Sequence, residues 1–377
     1  MRTALFYNKA MRNNPLAVFG VLAILIVIAG GVILYASGFR LDLSQGGFAR
    51  TGMILAKSVP DGAKVFLDDE LSGATDSTIG SLQPGVYHLK IEKEGFLSWE
   101  KDVEVKEELV TSITALLPPR SPSLTAITQN GAKLVTASAS GEKATFLSGN
   151  KLYLLSLNSS FLGFLRIRPQ EIAPETKDFP FAKVTKLEFS PNEGQILLVA
   201  GSKGKLFPIQ IGATATEVNN VAALRTQWQN LVKEQRADAV KTLEIPEEFR
   251  DLALTLTSVW SPDERKFLYE KAEGGKRQFW VANFTDPLPV GEETNRKILE
   301  TEDKNLKLLW LANSQNFVTI ESNTVSILDL DGNNKREIFT GTLAEKIALS
   351  STDLAQAIIL TSISSKSPSN LYGISLR

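Results

Sequence analysis

The order of apolar and polar positions divides the chain into three textures. Leu16 to Ala36 (LAVFGVLAILIVIAGGVILYA) runs 21 residues without a charge, interrupted only by Gly20, Gly30 and Gly31. At about 1.5 Å per residue such a helix is roughly 30 Å long, the thickness of a bilayer's hydrocarbon core. A buried core helix is seldom apolar on every face for so long, so the stretch predicts a single transmembrane helix over 16–36. From Gly52 the texture changes to short alternating runs: GMILAKS, AKVFLDD, VYHLKIEKE, LSWEKDVEV and LVTSITALL. Turn residues separate them, namely Pro60-Asp61-Gly62, Leu71-Ser72-Gly73, Pro84-Gly85 and Glu94-Gly95. Alternation sets Tyr87, Leu89 and Ile91 on one face and His88, Lys90 and Glu92 on the other, so one face is buried and one is wet. Five such strands predict a small antiparallel β-sandwich over 51–117, with Phe66, Tyr87, Phe96 and Trp99 as its core aromatics.

Pro118-Pro119-Arg120-Ser121-Pro122 is a stiff break, because consecutive prolines favour an extended linker, here 118–123. The third texture follows: a strand, a turn, a longer apolar strand, then a closing strand. Its turn-bearing pieces are ITQNGAKLVTAS (127–138), LEFSPNEGQILLVAG (187–201), VWSPDERKFLYE (259–270), LWLANSQNFVTIE (309–321) and ALSSTDLAQAIILTS (348–362). KLYLLSL, RQFWVANF, TVSILDLDG and NLYGISL supply closing strands. Recurrence of a four-stranded unit every 40 to 50 residues or so marks a β-propeller. The prediction is a propeller-like domain over 124–377, irregular, with five to seven blades; an irregular sandwich is the other arrangement the pattern allows. The long interval between Pro191 and Pro262 carries a helical pattern, VAALRTQWQNLVKEQRADAV, which predicts an insert over 221–250. Leu224, Trp228, Leu231 and Val232 fall on one face, as for an amphipathic helix packed on its own domain. The fold class is therefore mostly β: one N-terminal transmembrane helix, a small sandwich and a C-terminal propeller with a helical insert.

Two resemblances attach to these residues. Pro60-Asp61-Gly62-Ala63, Val65-Phe66-Leu67-Asp68, Leu82-Gln83-Pro84-Gly85-Val86-Tyr87 and Gly95-Phe96 resemble the PEGA domain, with Asp61 standing where that family's signature has Glu. The resemblance implies an extracytoplasmic β-sandwich module of envelope proteins, structural or adhesive, with no chemistry of its own. The turns Phe189-Ser190-Pro191-Asn192 and Trp260-Ser261-Pro262-Asp263 resemble the aromatic-Ser-Pro-Asp repeats of Tol-type and WD-like propellers. Leu311-Ala312-Asn313 and Ser350-Ser351-Thr352 depart from that pattern.

Charge adds an orientation. Arg2, Lys9 and Arg12 precede the apolar run, while Arg40, Arg50 and Lys57 with Asp42 follow it. The positive-inside rule then puts the tail 1–15 in the cytoplasm and everything after Ser37, including the linker 37–50, outside. Ala36-Ser37-Gly38 would suit a signal peptidase, but a signal's apolar region is usually about 7 to 15 residues long, so an uncleaved cytoplasmic-membrane anchor is expected. Over the whole chain 41 Lys and Arg balance 42 Asp and Glu, a balance without the basic stripe of a nucleic-acid reader. Cysteine is absent, which excludes disulfides, thiol catalysis and Cys-ligated zinc.

Catalytic motifs are hard to find. His88 is the sole histidine; it lies on the polar face of a strand with no nucleophile motif beside it. Asp329-Leu330-Asp331-Gly332-Asn333-Asn334 is oxygen-rich, but its glycine comes too early for a calcium loop and no bidentate Glu follows at the right spacing. It is expected to be a plain turn. Asp68-Asp69-Glu70 is expected to be a solvated acidic tip, and Gly201-Ser202-Lys203-Gly204-Lys205 a basic hairpin that lacks P-loop spacing. Asn158-Ser159-Ser160 and Asn283-Phe284-Thr285 are glycosylation sequons. No catalytic, cofactor or metal residue is assigned, and no cofactor is expected. The sequence points to a non-catalytic, membrane-anchored envelope protein that presents a sandwich and a propeller to a protein or polysaccharide partner, not to nucleic acid. The alternative is an envelope glycan hydrolase or lyase working through paired carboxylates, with Asp263, Glu264 and Asp329 as candidates.

Overall fold

The computed structural model describes residues 15–36, 39–42, 47–158, 167–210, 212–364 and 367–377, with side chains given for 18–33 of the first helix and from Arg50 onward. Arg2, Lys9, Arg12, Ser37, Gly38 and the hydroxyl residues of the 158–160 sequon lie outside the described residues. Helix α1 spans Pro15–Ala36. Among the described residues no helix is long and apolar enough to cross a membrane, so the expected span over 16–36 is not carried by the described part of α1. Its described side chains, 18–33, cover about 24 Å at the helical rise, short of a bilayer's roughly 30 Å core. A two-stranded hairpin follows, Phe39–Asp42 with Gly47–Arg50.

The sandwich has two sheets. One holds Ser77–Leu82, Gly52–Val59 and Val110–Leu116 in that order; the other holds Glu70–Ala74, Lys64–Leu67, Gly85–Glu92 and Trp99–Val105. Its core is Ile54, Ala56, Val65, Leu67, Leu89, Ile91, Trp99, Val103, Val105 and their neighbours. Two expectations need correction. Gly52–Val59 and Val110–Leu116 pair in parallel, so the sandwich is not purely antiparallel. Phe66 is only half-buried: Val65 and Leu67 take the core face, and the period of two turns Phe66 outward. The acidic tip is a two-residue hairpin turn in which Asp68 (φ 49°) and Asp69 (φ 68°) are both left-handed, as a type I′ turn requires.

After the prolines come five four-stranded antiparallel sheets among the described residues, arranged as propeller blades. The first blade is Lys133–Ala137, Lys143–Ser148, Lys151–Ser156 and Pro169–Pro174; the second is Lys186–Phe189, Gln195–Ala200, Lys203–Pro208 and Thr216–Val218. The third is Val259–Trp260, Lys266–Glu273, Lys276–Asn283 and Asn295–Thr301; the fourth is Lys307–Trp310, Asn316–Glu321, Thr324–Asp329 and Arg336–Thr340. The fifth takes Leu343–Ser350, Gln356–Thr361 and Asn370–Ser375 from the end of the chain. Its outermost strand is Leu124–Ala126 from the start of the domain, paired Leu124 with Ile374. The ring is thus clasped by hydrogen bonds between its two ends. The first strand of blade one touches the first strands of blades two and five, so the first strands line the centre.

Buried apolar clusters fill the spaces between blades one and two, three and four, four and five, and five and one. The second and third blades differ. Between them the chain inserts α2 (Val221–Thr242) and α3 (Glu247–Leu254). Val221, Leu224 and Trp228 pack on Leu197 and Val199 of blade two, while Ile245, Phe249 and Ala253 pack on Phe267, Ala282 and Phe284 of blade three. The helices form a wedge in place of direct blade contact. Asn220 caps α2 by accepting from the Ala223 amide. Of the four residues expected on the buried face of α2, Leu231 is exposed, because α2 meets the blade only along its first two turns.

Candidate binding cleft between sandwich and propeller

The turns of a propeller segregate. In each blade here the first-to-second and third-to-fourth connections lie on one face of the ring, and the second-to-third turns and blade-to-blade connections lie on the other. The sandwich is docked on the first of these faces. Val59 and Leu116 reach into the core shared by blades four and five. Beside that contact the strand Trp99–Val105 meets the connection 330–335 of blade four through a polar lock. Trp99 Nε1 donates to Asp329 Oδ2 at 2.6 Å, Arg336 Nε donates to the Ser98 carbonyl at 2.8 Å, and Asn334 Nδ2 donates to the Glu100 carbonyl at 3.1 Å. Lys101 Nζ stands 2.7 Å from Asp331 Oδ2, an ion-pair contact with both side chains largely covered.

The sequence shows why this connection can do so. Gly332 sits at φ +84°, and a Cβ there would lie 2.2 Å from the Ile298 carbonyl oxygen; only glycine lets the turn close against blade three. The oxygen-rich stretch is thus a hairpin connection, as expected, with the docking of a second module as its added task.

Docking leaves a cleft of about 220 Å³ lined by Trp99, Lys101, Ser112 and Thr114 of the sandwich, by Asn283 and Glu292 of blade three, and by Asn316, Asp329 and Asp331 of blade four, among others. Three half-buried carboxylates share it, and each is tuned differently. Burial pushes the Asp329 carboxyl up to about 6, against the pull of N–H donors from Asn334 and Trp99; Asn316 Nδ2 supplies another donor at 2.8 Å. Burial also drives Glu292 upward, with Asn283 Nδ2 as its hydrogen-bond donor at 2.5 Å. Burial acts on Asp331 in the same sense, but the Lys101 ammonium outweighs it and holds that carboxyl below its ordinary range.

The expected carboxylate candidates are not brought together. Asp329 lines the cleft, but both its oxygens are taken by protein donors. Asp263 belongs to the Ser-Pro-Asp turn of blade three, where it accepts from Ser261 Oγ at 2.5 Å and from buried Lys266 at 2.7 Å. Burial pushes the Asp263 carboxyl up, and these two donors more than reverse it. Glu264 is the left-handed residue of that turn, at φ 55°. Glu292 was missed in the sequence, since an isolated Glu in a connection gives no signal until the sandwich covers it. His88 stands on the outer face of the sandwich, 2.8 Å from Asp102 and 3.5 Å from Glu100; the Asp102 hydrogen bond raises its pKa. Gly201-Ser202 forms the tight turn between Ala200 and Lys203. Among the described residues no group of three His, Cys, Asp or Glu side chains is placed to hold a metal ion.

The PEGA domain family matches residues 51–121 of this chain, the span of the sandwich and the proline break. No curated protein matches. Among solved structures, a putative TolB from Agrobacterium tumefaciens is similar at 13% identity and a TM-score of 0.25, over 64% of this chain and 77% of that one. TolB from Acinetobacter baumannii is similar at 12% identity and a TM-score of 0.26, over 93% and 68%. An oligogalacturonate lyase from Vibrio parahaemolyticus is similar at 7% identity and a TM-score of 0.30, over 89% and 96%. The order of the five four-stranded sheets is by itself that of propeller blades.

Proposed function

We propose that this chain is a non-catalytic cell-envelope protein, tethered by α1 with its N-terminus in the cytoplasm, that holds a PEGA sandwich and a propeller outside as one docked body and binds a protein or polysaccharide partner. The observation that carries this reading is the buried lock between Trp99, Asp329, Lys101, Asp331 and Arg336. Trp99 of the sandwich takes one oxygen of Asp329, the propeller's own Asn316 and Asn334 engage the carboxylate from the other side, and a polar cleft is left at the junction, the kind of place where ligands bind. The tether is supported by the run Val18 to Ile33, whose large apolar side chains all stand exposed among the described residues. The extracytoplasmic location is supported by the PEGA match. One observation favours the glycan-processing alternative: Glu292 and Asp329 line the same cleft and are both shifted upward.

The test combines fractionation and capture. Full-length chain should resist carbonate extraction from membranes, a chain lacking residues 1–36 should be released, and the full chain should recover one stoichiometric partner from envelope extract. Recovery of the full chain in the soluble cytosolic fraction refutes the tether. Release of glycan fragments, abolished by Glu292→Gln, replaces binding with catalysis.

A further inference from the structure

The face of the ring opposite the sandwich carries a basic rim. In three blades the first strand begins with a lysine on the same rung of its sheet: Lys133 pairs with Leu147, Lys186 with Val199 and Lys307 with Ile320. Each partner lies four residues into the second strand, and all three lysines are exposed. Blade one reaches that rung only through a register shift between Lys133 and Thr136, so the lysine is kept in place although the strand carries an extra residue. In blade five the first strand bulges between Leu343 and Ala348, opposite the same rung, and this bulge holds Glu345 and Lys346. Because first strands line the centre, these residues surround the mouth of the channel.

The carboxylates nearby are already engaged. Glu345 accepts from the Leu134 and Val135 amides at 2.6 and 3.1 Å. Glu188 is bound by Arg225 of α2 and by Lys186, and Glu270 by Arg277. Lys133 and Lys346 reach only backbone carbonyls, of Phe181 at 3.4 Å and Asn305 at 3.2 Å. The rim and its partners thus bring Lys133, Lys186, Lys307, Lys346, Arg225 and Arg277 against four carboxylates, those of Glu345, Glu188, Glu270 and Asp303, a local excess of positive charge in a chain that is balanced overall. Ammonium groups carried at the same end of several first strands supply point charges suited to a compact, multiply charged oxyanion.

We propose that the channel mouth on this distal face binds phosphate-bearing anions. The site lies across the ring from the sandwich and its tether, facing away from the docking contacts, and it is independent of the cleft.

The experiment is calorimetric titration of the full chain in neutral-detergent micelles with inorganic tripolyphosphate and with long-chain polyphosphate, at low salt and at about 150 mM, where the Debye length is about 8 Å. Saturable binding that weakens with salt is expected. Combined Lys133→Gln, Lys186→Gln, Lys307→Gln and Lys346→Gln should lower the affinity by about tenfold or more, since four converging charges are removed. An equal set elsewhere, Lys57→Gln, Lys64→Gln, Lys233→Gln and Lys241→Gln, should leave it within about twofold. Circular dichroism checks that both sets fold, as expected for exposed side chains. Tighter binding per phosphate for the polymer identifies a chain-borne ligand, and the reverse a free one. No saturable heat with either anion, or equal loss in both lysine sets, overturns the proposal.

Discussion

Asp329 makes the joint between sandwich and propeller sensitive to pH. Its carboxyl moves from an ordinary 3.8 to about 6 on burial. A carboxylate with a raised folded value contributes stability that is complete below its unfolded pKa and is lost as pH rises through the folded one. At about 1.4 kcal/mol per unit, the shift corresponds to about 3 kcal/mol lost between about pH 4 and pH 7. Glu292 is shifted the same way by burial, and His88, raised by Asp102, also loses its contribution as pH rises. Asp331 is lowered, so its contribution disappears only as pH falls, below the window where Asp329 acts. The perturbation is Asp329→Asn, which keeps the shape and removes the titration. The assay is equilibrium urea unfolding of the full chain in micelles, followed by tryptophan fluorescence across this range. The parent should lose stability from mildly acidic to neutral pH. In Asp329→Asn that fall should shrink by about 2 to 3 kcal/mol, while His88→Gln, on an exposed residue, should change it little. A parent that gains stability over this range, or an unchanged slope in Asp329→Asn, refutes the account.

Three further outcomes are expected. Glu345→Ala strands the Leu134 and Val135 amides, at a cost of about 2 kcal/mol, read as faster hydrogen exchange at those two positions. Ile245→Ala, in the fully buried floor of the helical wedge, should cost about 2 to 5 kcal/mol in urea unfolding, and proteolysis of 242–258 should accelerate before other cuts appear. Gly332→Ala drives a Cβ into the Ile298 carbonyl, so the connection must move and the sandwich must loosen, visible as faster cleavage across 118–123.

The alternating runs made the sandwich and the blade strands legible, because a period of two survives wherever one face is buried. Tyr87, Leu89 and Ile91 appear as read. Phe66 follows the parity of its neighbours Val65 and Leu67, which outranks its aromatic character, and the strands Glu70–Ala74 and Ser77–Leu82 carry no legible alternation because most of their residues face water. The clasp strand Leu124–Ala126 is three residues long, too short for any periodicity. In the cleft, Asp329 stands in an oxygen-rich run that marks it in the sequence, and Glu292 has no such setting. Burial tunes these carboxyls, and that burial arises from contacts between Trp99 and Asp329, 230 positions apart, which no local pattern records.

The clasp also has a mechanical side. The chain passes from the sandwich through the proline-rich residues 118–123 into Leu124–Ala126, the strand whose pairing with Asn370–Ser375 shuts the ring. Tension arriving through the sandwich would therefore act first on this three-residue seam of the propeller. The grip of Arg336 and Asp329 on the sandwich offers the load a second route into blade four, so the same contacts that set the posture of the two modules act as strain relief for the seam.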